Sequence, residues 1–148
     1  MADSEKTQLS ASSILFLCNH NIIRSPMAEH LVRLDFGNRI YTTSAGLIPG
    51  EIDPFVTSVM DELGCELRGH VSQTIDDLDD TWFDVIVSLS EEADAAIKKS
   101  DRIDTDHYLY WPTGDPTVVQ GSRPHRLDAY RAIRDQINER IRSTFSPS

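Results

Sequence analysis

Cys18 and Arg24 stand six residues apart in the run CNHNIIRSP, with Ser25 directly after the arginine. The pattern is C-x5-R-S, and each residue type in it has a chemical use. A short loop that runs into a helix N-terminus turns several backbone N–H groups inward. The positive end of the helix dipole adds to them, so such a loop holds anions. Arg24 contributes a forked, permanently charged donor that fits two oxygens of a phosphate. The same surroundings favour the thiolate form of a cysteine. Asn19, His20, Asn21, Ile22, Ile23, Arg24 and Ser25 therefore make a cradle for a tetrahedral oxyanion, with an ionised sulfur at Cys18 facing it. That is the layout for in-line displacement at phosphorus through a covalent cysteinyl-phosphate. Ser25 is placed to hydrogen-bond the sulfur, first as nucleophile and then as leaving group. The plain alternative is a buried cysteine at a strand end. The position of the pattern, between an apolar strand and a Pro-started helix, makes the chemical reading far more specific.

A leaving alkoxide or phenoxide needs a proton, so an acid should lie opposite the loop. Asp115, in YWPTGDPTVVQG, is the best-placed candidate. Long loops in compact domains are often functional, and Pro116 biases Asp115 toward extended backbone. A turn aspartate before proline is common in its own right, so local sequence alone leaves the assignment open. In the resulting scheme Cys18 attacks phosphorus while Asp115 protonates the leaving oxygen. Ionised Asp115 then activates water against the cysteinyl-phosphate. The rate profile expected is bell-shaped, on the acid side of neutrality. Arg24 and the loop amides already neutralise phosphate charge, so no metal or cofactor is implied. The five histidines (His20, His30, His70, His107 and His125) show no metal-ligand spacing. His20 is expected at the rim of the cleft, facing outward. TIDDLDD lacks the Gly and the terminal Glu of a calcium loop and reads as a solvated acidic turn.

These residues need elements to hold them. Residues 14–17 form a continuous apolar run of strand type. A helix is expected over 26–36, with Ser25 as N-cap, Pro26 at its first position and Met27, Leu31 and Leu34 on one face. Residues 39–44 are strand-like. Asp53-Pro54 opens a second helix that carries Phe55, Val59 and Leu63. Residues 84–89 are a third strand, 91–99 a helix and 107–111 a fourth strand. A Pro- and Gly-rich loop spans 112–124. The last helix runs over about 124–145, with Leu127, Tyr130, Ile133, Ile137 and Ile141 at helical spacing. Alternating strands and helices give an α/β domain with a parallel sheet. In such sheets ligands bind at the carboxyl ends of the strands, which is where the Cys18 loop, Ser44, Ser90 and Pro112 all fall.

At 148 residues, 39% hydrophobic and 26% charged, the chain reads as one soluble domain over residues 12–148. Residues 1–11 are polar, lack the apolar core of a signal peptide and read as a disordered lead. No stretch approaches the roughly 18 apolar residues of a membrane span. Two cysteines make no disulfide framework, which favours the cytoplasm. The net charge of −10 argues against nucleic acid as a partner. The C-terminal segment 123–148 runs against that balance, with six Arg to three acids, and reads as the solvated face of an amphipathic helix.

The run FLCNHNIIRSPMAE resembles the low-molecular-weight protein tyrosine phosphatases, whose signature is C-x5-R-S near the N-terminus. TSAGL at 43–47, LRGHVSQTI at 67–75 and Asp115-Pro116 resemble further motifs of that family, in the same order. The resemblance implies four parallel strands in flavodoxin-like order 2-1-3-4, with helices on both faces. It implies Cys18 as nucleophile, Arg24 as phosphate clamp and Asp115 as general acid. It also implies Asn21, Ser25 and Ser44 as a supporting network. Substrates would be a phosphorylated protein or a small phosphate ester, and the protein a monomer or weak dimer. Two departures stand out. Ile23 occupies a loop position where many relatives carry a protective second cysteine. Thr117 follows Asp-Pro where eukaryotic members have tyrosines, which leaves Trp111, Tyr108 or Tyr110 as candidates for the cleft wall, with core packing expected for at least one of them. The same fold and loop serve arsenate reductases. The segment after the third strand, SLSEEADAAIKKS, lacks their relay cysteines, and Cys65 reads as a small core residue. A single-cysteine reductase using an external thiol is therefore the runner-up, and a non-hydrolytic phosphate module or cysteine phosphocarrier the third class.

Overall fold

A computed structural model describes residues 8–67 and 69–147. Its strands are β1 (Leu9–Ala11), β2 (Ser13–Leu17), β3 (Tyr41–Ala45), β4 (Trp82–Ser88), β5 (Asp104–Tyr110) and β6 (Phe145–Pro147). Its helices are α1 (Arg24–Phe36), α2 (Pro54–Asp61), α3 (Glu91–Lys99) and α4 (Arg123–Thr144). Strands β2 to β5 form one parallel sheet in the order β3-β2-β4-β5, the 2-1-3-4 order expected.

The central strand shows why its sequence is an unbroken apolar run. Ile14 and Phe16 join a core shared with α1, α2 and α4. Leu15 and Leu17 join a second core with α3 and the 3-10 turn Ile75–Asp77. All four side chains are fully buried, as in a parallel strand covered on both faces. The register then aligns the strand ends. Leu17 pairs with both Ala45 and Ser88, and Ser88 pairs with Tyr110. The loops that begin at Cys18, Gly46, Leu89 and Trp111 consequently leave the sheet from one edge.

Helix α3 carries local start and stop signals and buries Ala93 and Ile97. Ser90 caps it by accepting from the Ala93 amide, acids fill its first turn and Lys98 and Lys99 its last. Helix α2 is capped by Asp53, whose Oδ1 accepts from the Phe55 amide, with Pro54 at its first position. The other oxygen of Asp53 accepts from the Tyr130 hydroxyl at 2.7 Å, which ties α2 to α4.

Three expectations are corrected. Helix α1 begins at Arg24, with Ile23 rather than Ser25 at the N-cap, because the Ser25 side chain is engaged with Cys18. The lead expected to be disordered through residue 11 is a strand from Leu9. It pairs in parallel with β6, where only a helix end was expected. Three-residue strands carry too little alternation to be read from sequence, and the partners here sit at opposite ends of the chain. Residues 1–7 of that lead lie outside the described residues. Finally, Arg134 is not on a solvated face. It is buried, and its guanidinium donates to the Val59 carbonyl at 2.7 Å and to Glu62 at 2.8 Å, closing the C-terminal end of α2.

Candidate active site

The C-x5-R-S loop is held from outside, carbonyl by carbonyl. Asn19 O accepts from the amides of Leu47 and Ile48, at 2.7 and 3.1 Å. His20 O accepts from the Ser72 hydroxyl at 2.7 Å. Asn21 O lies 3.2 Å from His70 Nε2, and Ile22 O accepts from the Asp53 amide at 3.3 Å. With four successive carbonyls turned away, the peptide N–H groups are turned toward the inside of the loop, at the start of α1. That is an anion-binding nest.

Two residues make this conformation possible. Asn21 has φ +58°, and asparagine tolerates that left-handed region better than most side chains. Gly46 lies against the loop. A Cβ there would stand 2.7 Å from Asn21 N and 2.8 Å from the His20 carbonyl carbon. Both are backbone atoms that cannot swing aside. Gly46→Ala should therefore displace the loop, destabilise the fold by about 1–3 kcal/mol and sharply weaken inorganic phosphate binding. Thermal melts and calorimetry with phosphate would check this, and unchanged values for both would refute the account.

A directed chain of hydrogen bonds runs behind the loop. The backbone amide of Gln73 donates to Asn21 Oδ1 at 3.0 Å, which fixes the orientation of the Asn21 amide. Its Nδ2 then donates to both Ser25 Oγ (2.9 Å) and Ser44 Oγ (2.8 Å). Each hydroxyl hydrogen is thereby directed onward. Ser44 donates to Glu29 Oε1 at 2.5 Å, and Ser25 Oγ lies 2.9 Å from Cys18 Sγ. The Ser25 amide also reaches the sulfur, at 3.4 Å. Cys18, Asn21, Ser25 and Ser44 are all buried. Sulfur thus meets two donors.

Arg24 and Asp115 complete the site from opposite sides. Arg24 Nη1 donates to Thr113 O at 2.8 Å, which ties the guanidinium to the loop that carries Asp115. Thr113 is itself fixed to the sheet edge through the Leu89 carbonyl. Asp115 caps the 3-10 turn Pro116–Val118 and accepts from the Thr117 amide (2.9 Å) and hydroxyl (2.7 Å). Partial burial pushes the Asp115 carboxyl up. The two Thr117 donors and the positive charges of Arg24 and His20 outweigh it and hold the group below the usual carboxylate range.

A cleft of about 260 Å³ is lined by Cys18, Asn19, His20, Ile22, Ile23, Arg24, Asp115 and Thr117. The cradle residues expected from sequence thus meet Asp115 in one place, with His20 at the rim. Asn21, Ser25 and Ser44 stand behind the loop. Among the described residues, no Phe, Tyr or Trp lines the cleft. Trp111 is a core residue packed on Phe16 and Phe145, at ring distances of 6.3 and 5.8 Å. Tyr108 turns to the opposite core face and bonds Asp94. The side chain that takes the position beside the acid is Thr117.

Sequence reasoning missed Glu29, Gly46, His70, Ser72 and Gln73. Their roles depend on contacts 15 to 52 residues away along the chain. The same folding brings Glu29, His30 and His70 together, with one possible ligand atom from each within 4.8 Å of the others. Burial, the Arg33 charge and the His70 ring lower the His30 pKa to about 4. Cys65 is buried, as expected of a core residue. Its thiol points at the His30 carbonyl at 3.6 Å, and burial pushes its pKa up.

The sequence model of the family described as "Low molecular weight phosphotyrosine protein phosphatase" matches residues 13–146. Among curated proteins, the glutaredoxin arsenate reductase of Synechocystis is 25% identical over 133 residues, covering 90% of this chain and 95% of that one. A solved arsenate reductase in its oxidized state is 26% identical, with a TM-score of 0.71 over 87% of this chain and 92% of its own. A tyrosine phosphatase of Erwinia amylovora shares the fold at 23% identity, with a TM-score of 0.68 over 90% of each chain.

Proposed function

Since the chain belongs to the low molecular weight phosphotyrosine protein phosphatase family and is an enzyme of that superfamily, we propose that it hydrolyses phosphate monoesters through a cysteinyl-phosphate. The substrate class that fits is phosphotyrosine or another aryl phosphate, on a protein or a small molecule. The observation that carries the reading is the meeting of Cys18, Arg24 and Asp115 in one cleft at the N-terminus of α1.

The steps follow from that placement. The phosphate dianion binds against the inward loop amides and the Arg24 fork. The Cys18 thiolate attacks phosphorus in line, an S–P bond forms and the bond from phosphorus to the ester oxygen breaks. Protonated Asp115 delivers its proton to that oxygen. Water then enters from the same side, gives a proton to ionised Asp115 and attacks phosphorus. The S–P bond breaks, inorganic phosphate leaves and Cys18 is again a thiolate. Ser25, polarised by Asn21, stabilises the sulfur each time it carries charge. The cytoplasm suits a thiolate that must stay reduced. No helix of the described residues is long and apolar enough to cross a membrane.

A second reading is favoured by the relatives named as arsenate reductases. In it Cys18 displaces hydroxide from arsenate and an external thiol attacks the Cys18 sulfur. Arsenite departs with two electrons, and a second thiol clears the mixed disulfide. Cys65 is a poor internal resolving thiol, because it is buried and its acid dissociation is opposed. One comparison separates the readings: purified protein given an aryl phosphate, or arsenate with low-molecular-weight thiols. Aryl phosphate hydrolysis without arsenite production is the expected result. Arsenite production without hydrolysis would replace the first reading by the second.

A further inference from the structure

We propose that Glu29, His30 and His70 form a binding site for a divalent transition-metal ion of the zinc type, directly behind the oxyanion loop. Two nitrogens and a carboxylate are a zinc donor set that leaves one position open. Ligand atoms on one tetrahedral zinc ion stand about 3.3–3.5 Å apart. The 4.8 Å limit found here closes with side-chain shifts below about 1 Å.

Each ligand is already prepared. Among the described residues, His30 Nε2 is buried without a hydrogen-bond partner, and a buried polar atom left bare calls for an explanation. His70 places Nε2 on the Asn21 carbonyl at 3.2 Å. A ring that donates from Nε2 keeps a lone pair at Nδ1, and metal-binding histidines commonly anchor their other N–H on a carbonyl in this way. Glu29 Oε1 is oriented by the Ser44 hydroxyl, the corresponding support for a ligating carboxylate. The three side chains line a cavity of about 250 Å³ with Arg33, Thr43 and Gln73. Arg33 is the competitor. Its guanidinium pairs with Glu29 Oε2 at 2.6 Å, donates to the Thr42 carbonyl at 3.1 Å and approaches His30 Nδ1 at 3.5 Å; the side chain is 47% exposed, and an entering ion must displace it.

The site connects to the loop twice, through His70 to Asn21 O and through Glu29 to Ser44 and Asn21. An ion on Glu29 withdraws charge from the carboxylate that accepts from Ser44 and so weakens the chain that supports Cys18, and occupancy slows turnover. This consequence rests on the hydrolase reading; the binding does not.

The test titrates Zn2+ by calorimetry into full-length Cys18→Ser protein, stripped of metal by a chelator, so that the loop thiolate cannot compete. One ion per chain is expected. His30→Ala should weaken binding beyond the roughly 10–100-fold lost with an outer-shell partner, and Arg33→Met should tighten it. Co2+ should give a spectrum without thiolate charge-transfer bands. Failure of Cys18→Ser protein to bind Zn2+ overturns the site, as does affinity unchanged in both His30→Ala and Arg33→Met. Arg33→Met keeps the test decisive if His30→Ala does not fold. In otherwise wild-type protein, Zn2+ inhibition of aryl phosphate hydrolysis should shrink on His30→Ala; full inhibition retained there overturns the coupling alone.

Discussion

Cys18→Ser should lower kcat on an aryl phosphate by at least about 10⁴-fold while inorganic phosphate still binds. The two halves of this result have separate causes. The cradle is built by the outward-held carbonyls of Asn19, His20, Asn21 and Ile22, by Arg24 and by the start of α1. None of these uses the sulfur, so the anion keeps its site. Turnover needs an ionised nucleophile, and a serine hydroxyl is a far weaker acid than a thiol. Ser25 already receives a hydrogen bond from Asn21 and directs its own hydrogen toward position 18. Steady-state rates with calorimetry for phosphate would decide the matter. A Cys18→Ser protein that hydrolyses near the parent rate would remove the sulfur from the mechanism.

Asp115→Asn should slow release of poor leaving groups by about 10²–10⁴-fold and erase the high-pH limb of the rate profile. The sign follows from the site. The acid form of Asp115 is needed in the first step, and in the free protein its carboxyl is held below the ordinary range. As pH rises through that lowered value the acid form is lost, so kcat/KM falls on the acid side of neutrality. In the complex the bound dianion opposes a second negative charge nearby, which moves the corresponding limb of kcat to higher pH. Thr117→Val removes a hydroxyl that stabilises the carboxylate and should shift the kcat/KM limb upward. A pH series on the parent, Asp115→Asn and Thr117→Val proteins tests all of this. An Asp115→Asn protein with the parent rate and profile would reassign the acid.

The C-x5-R-S loop was legible because its parts are neighbours in the chain and their chemistry is local. The strand over 14–17 was legible because burial on both faces leaves only apolar residues. Helix α3 carries its own caps and charges, and it lies where it was expected, around Glu91–Lys99. The second half of the site was not legible in this way. Gln73 fixes the Asn21 amide across 52 residues, and Gly46 is defined by a backbone that approaches it through space. Glutamine and glycine in a loop announce nothing by type. Trp111 invited a reading as cleft wall because an aromatic one residue after a strand has no pattern that separates core from rim. Arg134 misled for a similar reason, since its partners are a carbonyl and a carboxylate on α2 and its C-cap.

The pairing of β1 with β6 sets how the molecule comes apart at its margins. Leu9 is matched to Phe145 and Ala11 to Pro147, and Gln8 adds a side-chain bond to the Arg142 carbonyl. The strands make a two-stranded sheet of their own, so among the described residues each has only the other as its ladder partner. In most domains the two ends fray independently. Here detachment of either end strips the other, and their amides should exchange with solvent at one shared rate rather than two.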